Sequence, residues 1–190
     1  MRTFIAIELP EGIKDFLSRI QDQLKGSQAD VKWVAPRNIH LTLKFLGEVN
    51  EKKLDEITCI LEDTAKNKRP FYIRIFSLGA FPKINSPRVI WVGIDKGDNE
   101  TKGIARELEE KISKTGIPKE DKPFSSHITV GRIRSNLNRE RLVGGLKTLT
   151  NSFSGENLEF LANSITLFKS TLTPKGPIYE TLKRVSLKTT

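Results

Sequence analysis

His40-Leu41-Thr42-Leu43 returns eighty-seven residues later as His127-Ile128-Thr129-Val130. Both stretches read histidine, aliphatic, threonine, aliphatic, and the two histidines of the chain both lie in them. Alternate side chains of a β-strand share a face. The pattern therefore sets His40 and Thr42 on one face and Leu41 and Leu43 on the other. His127 and Thr129 are set against Ile128 and Val130 in the same way. The aliphatic faces ask for a core under helices, and the polar faces must meet solvent or a ligand, because buried polar groups need partners.

Working outward, the apolar run Phe4-Ile5-Ala6-Ile7 has strand length. Ile13, Phe16, Leu17, Ile20 and Leu24 recur at helical spacing and predict a helix from Glu11 to Leu24. Strands follow at Val31–Val34 and Ile39–Phe45. A second helix is expected from Asn50, its N-cap, to Asn67, burying Leu54, Ile57, Ile60 and Leu61. Strands at Phe71–Leu78 and Arg88–Asp95 flank a cluster of turn formers. A third helix is expected over Asp98–Lys114 on Ile104, Leu108 and Ile112, then a polar loop and the strand Ser126–Ile133. A short helix within 138–149 and strands at 162–170 and 178–187 close the chain.

The offset that superposes the histidines also lays Phe4-Ile5-Ala6-Ile7-Glu8 on Trp91-Val92-Gly93-Ile94-Asp95. One offset matching two separate strands points to an internal duplication, residues 2–80 approximately repeated by 88–187. The expected architecture is a single bilobal α+β domain spanning 1–190. It has two lobes of antiparallel sheet with helices outside, related by a pseudo-twofold axis. The two motif strands then face each other across a central cleft.

Composition bounds the remaining choices. A hydrophobic share of 37 % supports a packed core. No apolar run approaches the length of a membrane span, and the first residues lack the tripartite form of a signal peptide. A cytoplasmic protein without membrane association is expected. Cys59, the single cysteine, excludes an intrachain disulfide and a cysteine-cluster zinc site, and its helical context reads as a buried thiol. From Lys122 onward eleven Lys/Arg stand against four Asp/Glu, so +7 of the +9 net charge lies there. That asymmetry suits a polyanionic partner such as nucleic acid.

Two facing imidazoles suit two-step proton handling, because an unperturbed histidine titrates near pKa ~6.5. The neutral one takes a proton from an attacking oxygen and the charged one gives a proton to a leaving oxygen. Threonine hydroxyls between them can hold non-bridging phosphate oxygens. A metal site is a poorer fit, since no Asp, Glu or Cys shares the motif face. A threonine nucleophile is also poor, because each Thr sits about 7 Å along the strand from its own His. This chemistry leaves open which histidine is the acid.

The motifs and their flanks resemble the 2H phosphoesterase superfamily, named for two His-x-Thr-x motifs. Within it they are similar to the branch called 2′-5′ RNA ligase or RNA 2′,3′-cyclic phosphodiesterase. The resemblance runs through Arg2-Thr3-Phe4-Ile5-Ala6-Ile7, His40 to Gly47, Arg88-Val89-Ile90-Trp91, Pro123 to Arg132, Ser170, and Gly176-Pro177-Ile178-Tyr179. Ser126 stands where the family often has proline. The resemblance implies hydrolysis of an RNA 2′,3′-cyclic phosphate to a 2′-phosphomonoester, without metal or other cofactor, in a monomer. By it His40 is the proton donor to the 3′ oxygen, His127 the acceptor that activates water, and Thr42 and Thr129 bind the phosphate. Arg132 matches a family arginine near the substrate, although strict alternation puts it off the His127 face unless the strand bulges. Lys44 has the alternation of His40 and Thr42 and is a second candidate contact. The partners implied are RNA ends carrying a 2′,3′-cyclic phosphate, tRNA fragments among them. Reversal of the same chemistry, a 2′-5′ ligation of tRNA halves, and non-catalytic binding of RNA ends are the competing readings.

Overall fold

The computed structural model describes residues 1–153 and 158–188. Nine strands and four helices are seen among them: β1 (Arg2–Glu8), α1 (Glu11–Lys25), β2 (Val31–Trp33), β3 (His40–Glu48), α2 (Glu51–Ala65), β4 (Phe71–Lys83), β5 (Ser86–Ile94), α3 (Asp98–Ser113), β6 (His127–Ile133), α4 (Arg139–Ser152), β7 (Glu159–Ala162), β8 (Ser164–Thr173) and β9 (Gly176–Ser186). The strands form two antiparallel sheets, ordered β3-β1-β8-β9 and β2-β6-β5-β4-β7. The α+β fold of two antiparallel sheets is the one the sequence predicts.

The elements form for local reasons. In α1, Ile13, Leu17, Ile20 and Leu24 are buried at helical spacing. In α2, the Asn50 side chain accepts the Lys53 N–H at 2.9 Å, as an N-cap does. Cys59 corrects the sequence expectation: it is exposed, two residues past buried Ile57 and so turned to the outer side of α2. β1 is central in its sheet and buried on both faces. Ile5 and Ile7 join the main core, whereas Phe4 and Ala6 pack with Phe168 and Tyr179 on the opposite face. This is why β1 reads as an unbroken apolar run.

Each sheet draws on both halves of the chain. The helix after β3 leads into β4, which lies beside β5 in the second sheet, and the helix after β6 leads on to β8, beside β1 in the first. Helices exchange as well. α2 and α3 pack together under the first sheet, and α1 and α4 together under the second. One contiguous core, including Ile5, Leu41, Ile75, Val92, Ile128 and Ile165, runs beneath both sheets. The two histidine strands, β3 and β6, touch where the sheets meet.

The registers refine the repeat. Opposite His40 stands Glu8, and opposite His127 stands Gly93. The structural equivalence of β1 and β5 therefore runs at 85 residues, Glu8 to Gly93, not at the 87 that aligns the histidines. A shift of two preserves which residues share a face, which is why the sequence match looks sound while pairing the wrong neighbours.

Candidate active site

Both histidines are fixed by the same local device. The Nδ1 of His40 lies 2.7 Å from the carbonyl oxygen of Asn38, and that of His127 lies 2.8 Å from the carbonyl oxygen of Ser125. A carbonyl only accepts, so Nδ1–H donates in each case and Nε2 is left as the free, basic nitrogen. Each partner carbonyl sits two residues upstream, in the turn that feeds the strand. The acceptor in each bond is a backbone carbonyl, so the bond uses no side chain of the residue just before the histidine, and it is present with Ser126 in place of proline.

The surroundings of the two rings differ. His40 stacks on Phe4 with centroids 4.7 Å apart, meets Tyr179 edge-on at 5.4 Å, and has Phe168 at 6.3 Å. Burial among these rings pushes its pKa down to about 4. The bond to Asn38 and the charge of Glu8 oppose the drop, and Lys14 adds to it. His127 meets one ring, Phe81, edge-on at 5.1 Å. Trp91 is half-buried and paired with Thr129, so it shares the face of the second motif. Its ring lies across Gly79, where a Cβ would come within 2.5 Å of it, and a Cβ at Gly93 would lie 3.1 Å from it.

Thr42 and Thr129 are half-buried and on the faces of their histidines, while Leu41, Leu43, Ile128 and Val130 are buried. Beyond the threonines both strands bulge at the same place. Ile5 pairs with Lys44 and Ala6 with Thr42, leaving Leu43 unpaired. Ile90 pairs with Gly131 and Trp91 with Thr129, leaving Val130 unpaired. An extra residue inverts the alternation downstream of it. In β3 this turns Lys44 away from the cleft and Phe45 outward. In β6 it turns Gly131 inward and Arg132 outward.

Lys44 is thus a correction. It is 2 % exposed, and its Nζ donates to Glu109 Oε2 on α3 at 2.7 Å, so it is a structural cation and not a cleft contact. The Glu109 Oε1 accepts the Glu120 N–H at 2.7 Å, which ties the loop before β6 to the same pair. Arg132, by contrast, is exposed on the His127 face. Burial raises the pKa of the Tyr179 hydroxyl, and the nearby charges of Arg132 and Arg2 pull it back. Tyr179 packs on His40, and β3 touches β6, so the faces that carry His40 and Arg132 adjoin although they belong to different sheets.

A cavity of about 280 Å³ adjoins His40, lined by Glu8, Lys14, Arg37, Asn38, Phe168 and Tyr179 among others. Sequence reading missed Glu8, Lys14 and Arg37. The signal available for Arg37 was its place in Pro36-Arg37-Asn38, immediately before the motif, and Glu8 required the β1–β3 register. Among the described residues no group of three His, Cys, Asp or Glu side chains is placed to hold a metal ion, and no helix is long and apolar enough to cross a membrane.

Comparison with known proteins shows the family and the fold. A family profile described as LigT like Phosphoesterase matches twice, over residues 7–91 and 92–179. A Methanocaldococcus jannaschii protein named RNA 2′,3′-cyclic phosphodiesterase is 39 % identical over 183 residues, covering 96 % of this chain and 99 % of its own. A Methanothermobacter thermautotrophicus protein of the same name is 38 % identical over 179 residues, covering 94 % and 95 %. A crystal structure of a Thermus thermophilus protein superposes with a TM-score of 0.80 at 29 % identity, covering 98 % of each chain.

Proposed function

The chain belongs to the LigT-like phosphoesterase family, and from that membership and the cleft geometry we propose that it hydrolyses RNA 2′,3′-cyclic phosphates by acid–base catalysis between His40 and His127. It is a phosphodiesterase, as its relatives at 38–39 % identity across nearly the whole chain are named. The observation that carries the mechanism is the matched pair of Nδ1–carbonyl bonds, which leaves one Nε2 free on each strand of the cleft.

In the reaction, His127 Nε2 takes a proton from water as the water oxygen bonds to phosphorus. The P–O3′ bond breaks, and the proton on His40 passes to O3′, leaving a 2′-phosphomonoester. Thr42 and Thr129 donate to the non-bridging oxygens where charge grows, and Arg132, on the same face, adds positive charge to the cleft beside them. Protons then exchange with solvent to reset the pair. No covalent bond forms between phosphorus and the protein, and the acid–base pair needs no metal or nucleotide cofactor.

The leaving oxygen of a cyclic phosphate stays on its ribose, so the proton donor must stand nearest the nucleoside. The cavity lies against His40, with Phe168 and Tyr179 as apolar walls, and this favours His40 as donor. Its low pKa in the free protein is compatible with that role. A phosphodiester anion ~4 Å away at an effective dielectric of ~20 favours the imidazolium by about 4 kcal/mol, or about 3 pKa units. Substrate binding then favours uptake of a proton from solvent by His40. The RNA ends that fit are those carrying a 2′,3′-cyclic phosphate, tRNA fragments included.

The test is incubation with a cyclic-phosphate-ended oligoribonucleotide in EDTA, followed by separation of 2′- from 3′-phosphate products. A 2′-phosphate is expected, with single alanine replacements of His40 or His127 lowering kcat by about 10²–10⁴. Unchanged turnover in the double His40→Ala/His127→Ala variant would overturn the mechanism. Tight binding without any turnover by the unaltered protein would instead identify a non-catalytic RNA-end binder.

A further inference from the structure

We propose that Lys32 and Arg132 together form a second phosphate site that holds an internucleotide phosphate of the RNA beside the terminal cyclic one. The proposal rests on the RNA reading above and extends it from the reacting end to the chain behind it. β2 is three residues long and pairs with β6, placing Lys32 directly opposite Arg132. Both side chains are exposed. Directly paired residues share a face, so Lys32 stands on the open side of the sheet with His127, Thr129 and Arg132. Its neighbours Val31 and Trp33 take the other side, where each lies 2.9 Å from the position of a Cβ on Gly131, and both pack on the core.

Like charges set directly opposite on paired strands repel, and a sheet normally avoids them. On its other flank Arg132 is opposed by Val89, so neither neighbouring strand supplies a carboxylate. Among the described residues the ion pairs include neither Lys32 nor Arg132. An anion lying over the two strands relieves the repulsion and is held by both cations at once. Arg132 lies three residues beyond Thr129 on the same face of β6, and β6 touches β3, the strand of His40, so the second anion lies on the side of the cleft next to the reacting phosphate. Two adjacent phosphates, one terminal and one internucleotide, belong to a polynucleotide. A cyclic mononucleotide has only the first. Lys32 therefore favours polymer ends over free nucleotides.

The experiment compares two ligands on the unaltered protein, Lys32→Gln and Lys32→Arg. The first is a fluorescent hexaribonucleotide ending in a 2′-phosphate, read by anisotropy. The second is adenosine 2′-monophosphate, read by competition. Lys32→Gln is expected to narrow the preference for the hexamer over the mononucleotide by about three- to ten-fold and to lower the salt slope of hexamer binding by ~0.7, the loss of one single-strand phosphate contact. Lys32→Arg is expected to keep both. An unchanged preference, an equal weakening of both ligands, or a loss in Lys32→Arg as large as in Lys32→Gln would overturn the proposal. Because the readout is binding, absence of turnover on a cyclic-phosphate substrate would count against the phosphodiesterase reading and not against this one.

Discussion

His40 shows how far one residue's chemistry is set by its packing. Phe4, Phe168 and Tyr179 remove water from the ring, and desolvation disfavours its charged form. The folded pKa of about 4 lies below the unfolded value near 6.5. Between those two values the unfolded chain binds more protons, so stability falls as pH drops from 6.5 toward 4 and levels off below it. The deficit is on the order of 3 kcal/mol. Denaturant midpoints should fall across that window, and the fall should be largely absent in His40→Phe. An NMR titration should find the His40 ring neutral at about pH 6 in the free protein and protonated once a 2′-phosphomonoester is bound. The sequence displayed the two imidazoles as a pair of equals. It could not distinguish them, because the aromatic wall around His40 is assembled from β1, β8 and β9, far away in sequence.

Among the elements, the bulges after Thr42 and Thr129 decide the most. Strict alternation assigns Lys44 to the cleft and Arg132 to the back of its strand, and one unpaired residue in each strand reverses both. A bulge leaves no reliable mark in a single sequence, since Leu43 and Val130 look like ordinary core residues. The result for Lys44 is a buried ion pair with Glu109. Lys44→Met leaves the Glu109 charge without its partner and should cost about 3 kcal/mol by urea melts. Lys44→Met/Glu109→Gln should recover most of that, because no unpaired charge remains and the amide oxygen still accepts the Glu120 N–H. If the double variant is no more stable than Lys44→Met, the pair is not what holds β3 to α3. Other elements were plain in the sequence. Helical spacing marked α1, α2 and α3, and Asn50 marked the start of α2. β7 was missed because four residues with two buried positions, Phe160 and Ala162, carry too little alternation to register.

At the scale of the molecule, strand exchange makes the two halves interdependent. β1 relies on β8 and β9, and β5 relies on β4, whose outer edge is covered by β7. A fragment of residues 1–94 therefore keeps β3 beside β1 but lacks β8 on its other side, β6 between β2 and β5, and β7 at the edge of β4. It should show poor amide dispersion by NMR and little cooperative unfolding, and mixing it with 95–190 should restore structure. Independent folding of 1–94 would mean that each repeat carries its own core, contrary to the single core beneath both sheets.

The sequence by itself determined the paired histidines and threonines on which the proposed chemistry rests, the face they occupy, the fold class and the repetition behind them. These are properties of strand alternation and helical period, which act over a few residues and leave a local pattern. The tertiary structure alone decided the pairing register of β1 and β5, the sheets in which β2, β4 and β8 lie, the exchange of Lys44 for Arg132 at the cleft, and the inequality of the two histidines. Each of these depends on which distant strand lies alongside. Such pairing is selected by burial summed over the whole core, and no short stretch of chain encodes that sum.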